Sequence, residues 1–171
     1  MKKIVLTYGL LSGAISGLLM ACTMPLWKNG IITMDNGMVF GYATMVVALS
    51  LIFFAVKNFR DRHNAGVVSF GKALGIGLLI TLIAAVGYAV AWEISLKTVA
   101  SDFMSMYSDG YLQQAIDSGA DEKRLTEVKK EIEDFKVMYA NPLIRFPMTM
   151  MEIIPVGVLI SLISALILRR K

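Results

Sequence analysis

The chain has one cysteine and one histidine among its 171 residues. A lone cysteine, Cys22, excludes an internal disulfide and a thiolate metal cage. A lone histidine, His63, leaves no paired His-Glu metal spacing, and it stands in a polar turn between Arg62 and Asn64. There is no Ser-His-Asp set and no glycine-rich phosphate cradle preceded by a strand. Gly71, Gly75 and Gly77 open an apolar segment, where glycine serves packing. No catalytic residue, cofactor or metal ligand is expected, and the chain is not expected to be an enzyme. Charge is the other scarcity. Ile4–Leu26, Met38–Val56 and Ala73–Trp92 contain no charged residue, and Phe146–Leu168 contains one, Glu152.

Those four stretches decide the fold class. A helix needs ~20 apolar residues to cross ~30 Å of hydrocarbon, at ~1.5 Å per residue. Each stretch is long enough, so the expected architecture is all-α: a polytopic membrane protein with four transmembrane helices, near 4–26, 38–56, 73–94 and 143–168. The extramembranous segment 96–142 is expected to be a helical hairpin inserted between the third and fourth spans.

Orientation follows from lysine and arginine. One side of the membrane holds Lys2, Lys3, Lys57, Arg60, Arg62, Lys72, Arg169, Arg170 and Lys171, against a single acid, Asp61. By the positive-inside rule both termini are cytoplasmic and 96–142 lies outside. That outer segment is acidic, with six basic residues against nine acids. The formal net charge of +4 is therefore a basic rim plus an acidic lobe, and no nucleic-acid partner is expected. Within the rim, Lys57, Arg60, Arg62 and Lys72 are expected to contact anionic lipid headgroups, at ~1 kcal/mol each. Val67, Val68 and Phe70 are expected to dip into the headgroup layer, and Trp27, Tyr88 and Trp92 to form an outer aromatic belt. Leu19-Met20-Ala21-Cys22 imitates a lipoprotein cleavage box. Met20 fits it poorly and the apolar run continues to Leu26, so the first helix is expected intact.

Helices already in lipid associate through close backbone approach and hydrogen bonds. Gly9, Gly13 and Gly17 form a small-residue stripe on the first span, flanked by Ser12 and Ser16. Gly157, Ser161 and Ala165 form another on the fourth, with Ser164 alongside, and Gly77, Ala84 and Ala91 recur on the third. Packing within the bundle is the plain reading. A homodimer face, or contact with another membrane protein, is the sharper one. In the hairpin, Leu125, Val128, Ile132, Phe135 and Tyr139 share one helical face. Asp121 is the expected N-cap, Asn141-Pro142 the stop, and Phe103, Tyr107, Tyr111 or Leu112, and Ile116 a shorter partner helix. The apolar face must be covered by that partner, by the bilayer interface or by another protein.

Glu152 is the costliest residue. An acid at the centre of a span costs ~2.5–3.5 kcal/mol on insertion scales, so it must face protein or water. Arg145 and Thr149 share its helical face, and Pro155 frees the Met151 carbonyl and should kink the helix beside it. Glu152, Arg145, Thr149 and Pro155 form the candidate intramembrane polar site. Either Glu152 pairs with Arg145 or a freed carbonyl, or it is a proton or cation site. Ser161 lies nearly opposite on that helix, which must then be contacted on two faces.

Three segments carry a family resemblance. They are Met148-Thr149-Met150-Met151-Glu152-Ile153-Ile154-Pro155-Val156-Gly157 with Leu162–Arg170, then Phe59-Arg60-Asp61-Arg62 followed by Val68–Ala73, and Phe135–Pro142. Together the chain resembles the DUF4199 family, a Bacteroidota group of membrane proteins of unknown function. The resemblance implies a bacterial inner-membrane protein of four helices with a periplasmic helical insert, and it carries no catalytic residue. The loop has Arg62-His63-Asn64-Ala65-Gly66 where the family pattern has a paired glycine, so a tight-turn role is not carried over. Two functions follow as expectations. The first is a non-enzymatic interaction or scaffold protein acting through the hairpin and the bundle surface. The alternative is a small dimeric carrier or ion-coupled transporter using Glu152.

Overall fold

The computed structural model describes residues 1–170 and contains seven helices among them. They are α1 (Lys2–Lys28), α2 (Met34–Leu49), α3 (Leu51–His63), α4 (Phe70–Leu96), α5 (Phe103–Asp117), α6 (Glu122–Tyr139) and α7 (Pro142–Leu168). Four helical units are long and apolar enough to cross a membrane: α1, α2 with α3, α4, and α7. Backbone amides in hydrocarbon have no water to bond, which is why such segments close all their hydrogen bonds within a helix. Exposed Leu10, Leu18, Leu82 and Leu159 give the spans an apolar outer surface. The protein is thus an all-α polytopic membrane protein. Lys171, part of the basic rim, lies outside the described residues.

The spans run longer than their apolar stretches. The second covers Met34–His63 and is interrupted at Ser50. There the Ser50 hydroxyl turns back to the Val47 carbonyl at 2.7 Å, and Phe53 N–H bonds to the Ser50 carbonyl at 3.0 Å. A serine back-bond of this kind loosens the α-helical ladder and bends it. Lys57–Lys72, the stretch left between the expected second and third spans, is largely helix. Lys57, Arg60, Arg62 and His63 all ride on α3.

α4 is the central helix, packed along α1 on one side and α7 on the other. Gly9, Gly13 and Gly17 face α4 at Ile83, Ala84 with Gly87, and Ala91. A Cβ added to Gly13 would lie 3.2 Å from both the Gly87 Cα and the Ala84 carbonyl oxygen, so the two backbones are in contact. On the other side the glycines are reciprocal: Gly77 receives Ser161, and Gly157 receives Thr81. Each hydroxyl bonds its own helix, Thr81 to the Gly77 carbonyl at 3.0 Å and Ser161 to the Gly157 carbonyl at 2.6 Å. The two hydroxyl oxygens meet at 3.5 Å, and Ala165 and Ser164 are buried further along. These small-residue stripes pack against one another inside one chain, as the plain reading expected.

At the end of the bundle that carries both termini, Val68 and Arg170 pair as an isolated antiparallel bridge, with N–H···O distances of 3.0 and 2.9 Å. Val68 is buried in this pairing, so the headgroup contact expected for it is not made; Val67 stays exposed. Arg60 is half-buried, held by Asp61 at 2.6 Å and reaching the Leu168 carbonyl at 3.4 Å. Its charge is matched within the protein, whereas Lys57, Arg62 and Lys72 remain exposed, Lys72 over the Phe59 ring at 5.0 Å. The connection Asn64–Ser69 makes a tight turn after all. Ala65 takes φ 51° and Gly66 φ 82°, with Gly66 N–H on the Arg60 carbonyl at 2.9 Å. Ala65 occupies a left-handed conformation that glycine would adopt without strain.

Replacing Gly13 by leucine should destabilise the protein by about 1–3 kcal/mol, the usual cost of overpacking. Gly75→Leu, where a Cβ meets nothing within 4 Å, should not. Thermal unfolding in detergent micelles compares the two.

Candidate functional site

At the hairpin end, α2 leans on α1, α7 and α5 and diverges from α4. The divergence opens a cavity of about 440 Å³. Five of the 12 methionines line it (Met20, Met24, Met34, Met38 and Met45), along with Trp27, Phe40, Tyr88 and Trp92. Phe103, Tyr107 and Tyr139 of the hairpin supply part of the wall. Among the described residues, Glu152 is the one charged residue in the lining. It is exposed rather than sealed, and it shares the cavity lining with Tyr88.

The hairpin roofs this cavity through Phe103, Tyr107 and Tyr139, while the apolar face of α6 packs largely on α5. Val128 and Ile132 are buried against α5. Asp121 caps α6 through Arg124 N–H at 2.7 Å. Asn141 caps α7, accepting from Leu143 N–H at 3.0 Å, with Pro142 as the first helical residue. An aromatic chain then ties the hairpin to the spans. Phe103 meets Trp92 edge-on at 4.8 Å, Tyr107 meets Phe135 at 5.2 Å, and Phe135 meets Tyr139 at 5.1 Å. Trp92 Nε1 donates to the Tyr139 hydroxyl at 2.5 Å. Burial pushes that hydroxyl up to about 12. At the rim, Lys28 pairs with Asp102 at 3.1 Å and holds its carboxyl below the usual range, and Gln114 donates to Asp35 at 3.1 Å.

The four residues read as one polar site separate here. Arg145 does not pair with Glu152. It makes a two-pronged pair with Glu93 of α4, at 2.7 and 2.6 Å, and donates to the Tyr139 carbonyl at 2.7 Å. Its guanidinium also lies 5.4 Å from the centre of the Tyr139 ring. Seven residues along a helix is ~10 Å, too far for Arg145 to reach back when a carboxylate stands opposite on α4. Glu93, near the end of α4, is thus the partner of Arg145. Thr149 is buried and bonds the Arg145 carbonyl at 3.0 Å. Pro155 is exposed, and α7 passes through it and Pro147 as one helix. Ser161 meets α4 while Glu152 points to the cavity beside α2, so both faces of α7 are engaged within the bundle.

The cavity wall was not legible as a set. Tyr88 and Trp92 read as belt aromatics, and the methionines read only as apolar. The density of methionine near one end of the first two spans was the available signal, since flexible thioethers suit irregular binding surfaces. Among the described residues no group of three or more His, Cys, Asp or Glu is placed to hold a metal ion. Cys22 is free and exposed.

Fold and cavity together define a four-span helical membrane protein with a roofed, mostly apolar pocket. The chain belongs to the family described as "Protein of unknown function (DUF4199)", whose model matches residues 7–170. Neither the curated proteins nor the solved structures contain a match to it.

Removing one partner of a buried ion pair costs ~3–5 kcal/mol, and the Arg145–Glu93 pair retains 13% and 22% exposure. Arg145→Met should therefore cost about 2 kcal/mol, allowing for solvent screening. Adding Glu93→Gln should restore part of the loss. Denaturant titration of the two variants measures this.

Proposed function

We propose that this protein is a non-enzymatic membrane protein that binds a small amphipathic cation in the cavity, as a carrier or receptor, with Glu152 as the counter-charge. The observation that carries the reading is that one carboxylate lines an otherwise methionine- and aromatic-walled pocket of about 440 Å³. Aromatic faces attract cations by ~0.5–2 kcal/mol each, and more as water is excluded. A neutral apolar ligand would gain nothing from a carboxylate kept there at a cost to membrane insertion. The basic rim supports placing both termini in the cytoplasm and the hairpin in the periplasm of a bacterial inner membrane.

A second reading is an interaction protein acting through the hairpin. Its support is the exposure of Val137 (70%) and Leu143 (84%) where α6 passes into α7, an apolar ridge that the roof contacts leave uncovered.

Both tryptophans, Trp27 and Trp92, line the cavity, so intrinsic fluorescence reports on it directly. Benzyltrimethylammonium should change that fluorescence saturably, and Glu152→Gln should weaken binding at least ~10-fold, equivalent to about 1.4 kcal/mol. Equal affinity in wild type and variant would remove Glu152 from the site.

Native mass spectrometry of the protein extracted from its own membrane separates the two readings. A single chain or homodimer retaining a small molecule supports the cavity. A second protein, lost on deleting 102–139, supports the hairpin.

A further inference from the structure

Among the described residues, three polar side-chain atoms in the bundle are buried without a partner: Ser12 Oγ, Ser16 Oγ and Asn58 Oδ1. Ser12 is 0% exposed and Ser16 2%. A buried hydroxyl in a helix ordinarily satisfies itself on the carbonyl of the preceding turn, and Thr81, Ser95, Thr149 and Ser161 do so. Ser12 and Ser16 are oriented differently. Leaving such groups unpaired in an apolar interior is costly, and water is the usual partner that buried polar groups recruit.

Their positions form a line. Tyr8, Ser12, Ser16 and Met20 recur every fourth residue of α1, which stacks them along one side of the helix. At the termini end of that line, the Tyr8 hydroxyl accepts from Asn58 Nδ2 at 3.3 Å, joining α1 to α3. At the other end, Met20 lines the cavity that holds Glu152. From Tyr8 to Met20 is about 18 Å along the helix axis. The glycine stripe that contacts α4 lies immediately beside this row.

We infer that a water-filled path runs along α1 through Tyr8, Asn58, Ser12 and Ser16, connecting the termini side of the membrane to the cavity. It gives the Glu152 site access to water on the face opposite its roof. A carrier needs such a connection, because its site must communicate with both sides. The inference deepens the cation-site reading and rests on it for its meaning, but its test uses no cavity ligand.

In a Cys22→Ser background, Ser12→Cys and Ser16→Cys place nearly isosteric thiols on the path. Silver ion, close to water in size, is applied to oriented vesicles. The readout is the block of later maleimide labelling after denaturation. Both thiols should react from the termini side at least ~10-fold faster than a thiol introduced at Ser161, which is equally buried but on the α4–α7 seam. Reaction no faster than at Ser161→Cys would overturn the path. Reaction from the hairpin side alone would also overturn it, making these hydroxyls the floor of the cavity. Loss of Glu152-dependent cation binding would instead defeat the cation-site reading while leaving the labelling result intact.

Discussion

The contact of α4 with α1 and α7 at backbone distance is the constraint on which the rest of the molecule depends. Lipid offers no hydrophobic drive between helices, so cohesion comes from dispersion, weak polar contacts and the close approach that glycine permits. Gly9, Gly13 and Gly17 bring α1 against Ile83, Ala84, Gly87 and Ala91, while Gly77 and Gly157 each accept a hydroxyl side chain from across the α4–α7 seam. With three spans locked this way, the second span is the one left to vary. Its α3 half fills a groove against α1, α4 and α7, and beyond Ser50 its α2 half departs from α4. The cavity is a consequence of three tight helices and one that leaves.

A second constraint fixes the roof. Arg145 joins Glu93 on α4, the Tyr139 carbonyl at the end of α6 and the Tyr139 ring, while Trp92 holds the Tyr139 hydroxyl. One residue, Tyr139, is thereby gripped by two spans. The charge of Arg145 is matched by Glu93, which leaves Glu152 without a basic partner among the described residues. Had Arg145 paired with Glu152, the hairpin would have lost the link from Arg145 to Glu93 and kept its aromatic contacts and the rim pairs of Lys28 with Asp102 and Gln114 with Asp35.

The elements were readable where a local rule governs them. The apolar runs marked four spans, the 3-4 rhythm from Leu125 to Tyr139 marked α6, and Asp121 marked its start. The ends were less legible. Lys57, Arg60 and Arg62 look like loop because they are charged, yet they continue α3 in the zone where a helix leaves hydrocarbon and its charges reach water. The turn at Ala65-Gly66 looked unsuited to a tight connection, but the Val68–Arg170 bridge and the Gly66–Arg60 hydrogen bond hold it there. Non-local pairing overrode a local preference.

The candidate site divides along the same line. By itself, the amino-acid sequence determined that the chain is helical and polytopic, that its charges concentrate at one rim and in one insert, and that Glu152 is anomalous. Each follows from hydrocarbon thickness, the cost of buried charge and helical periodicity, which act on residues near one another in the chain. Only the tertiary structure decided which carboxylate Arg145 takes, that the glycine stripes face one another inside one chain, and that distant methionines and aromatics enclose one cavity. Those outcomes depend on which helix lies opposite which, and residues 52 positions apart, such as Glu93 and Arg145, meet only after the bundle has formed.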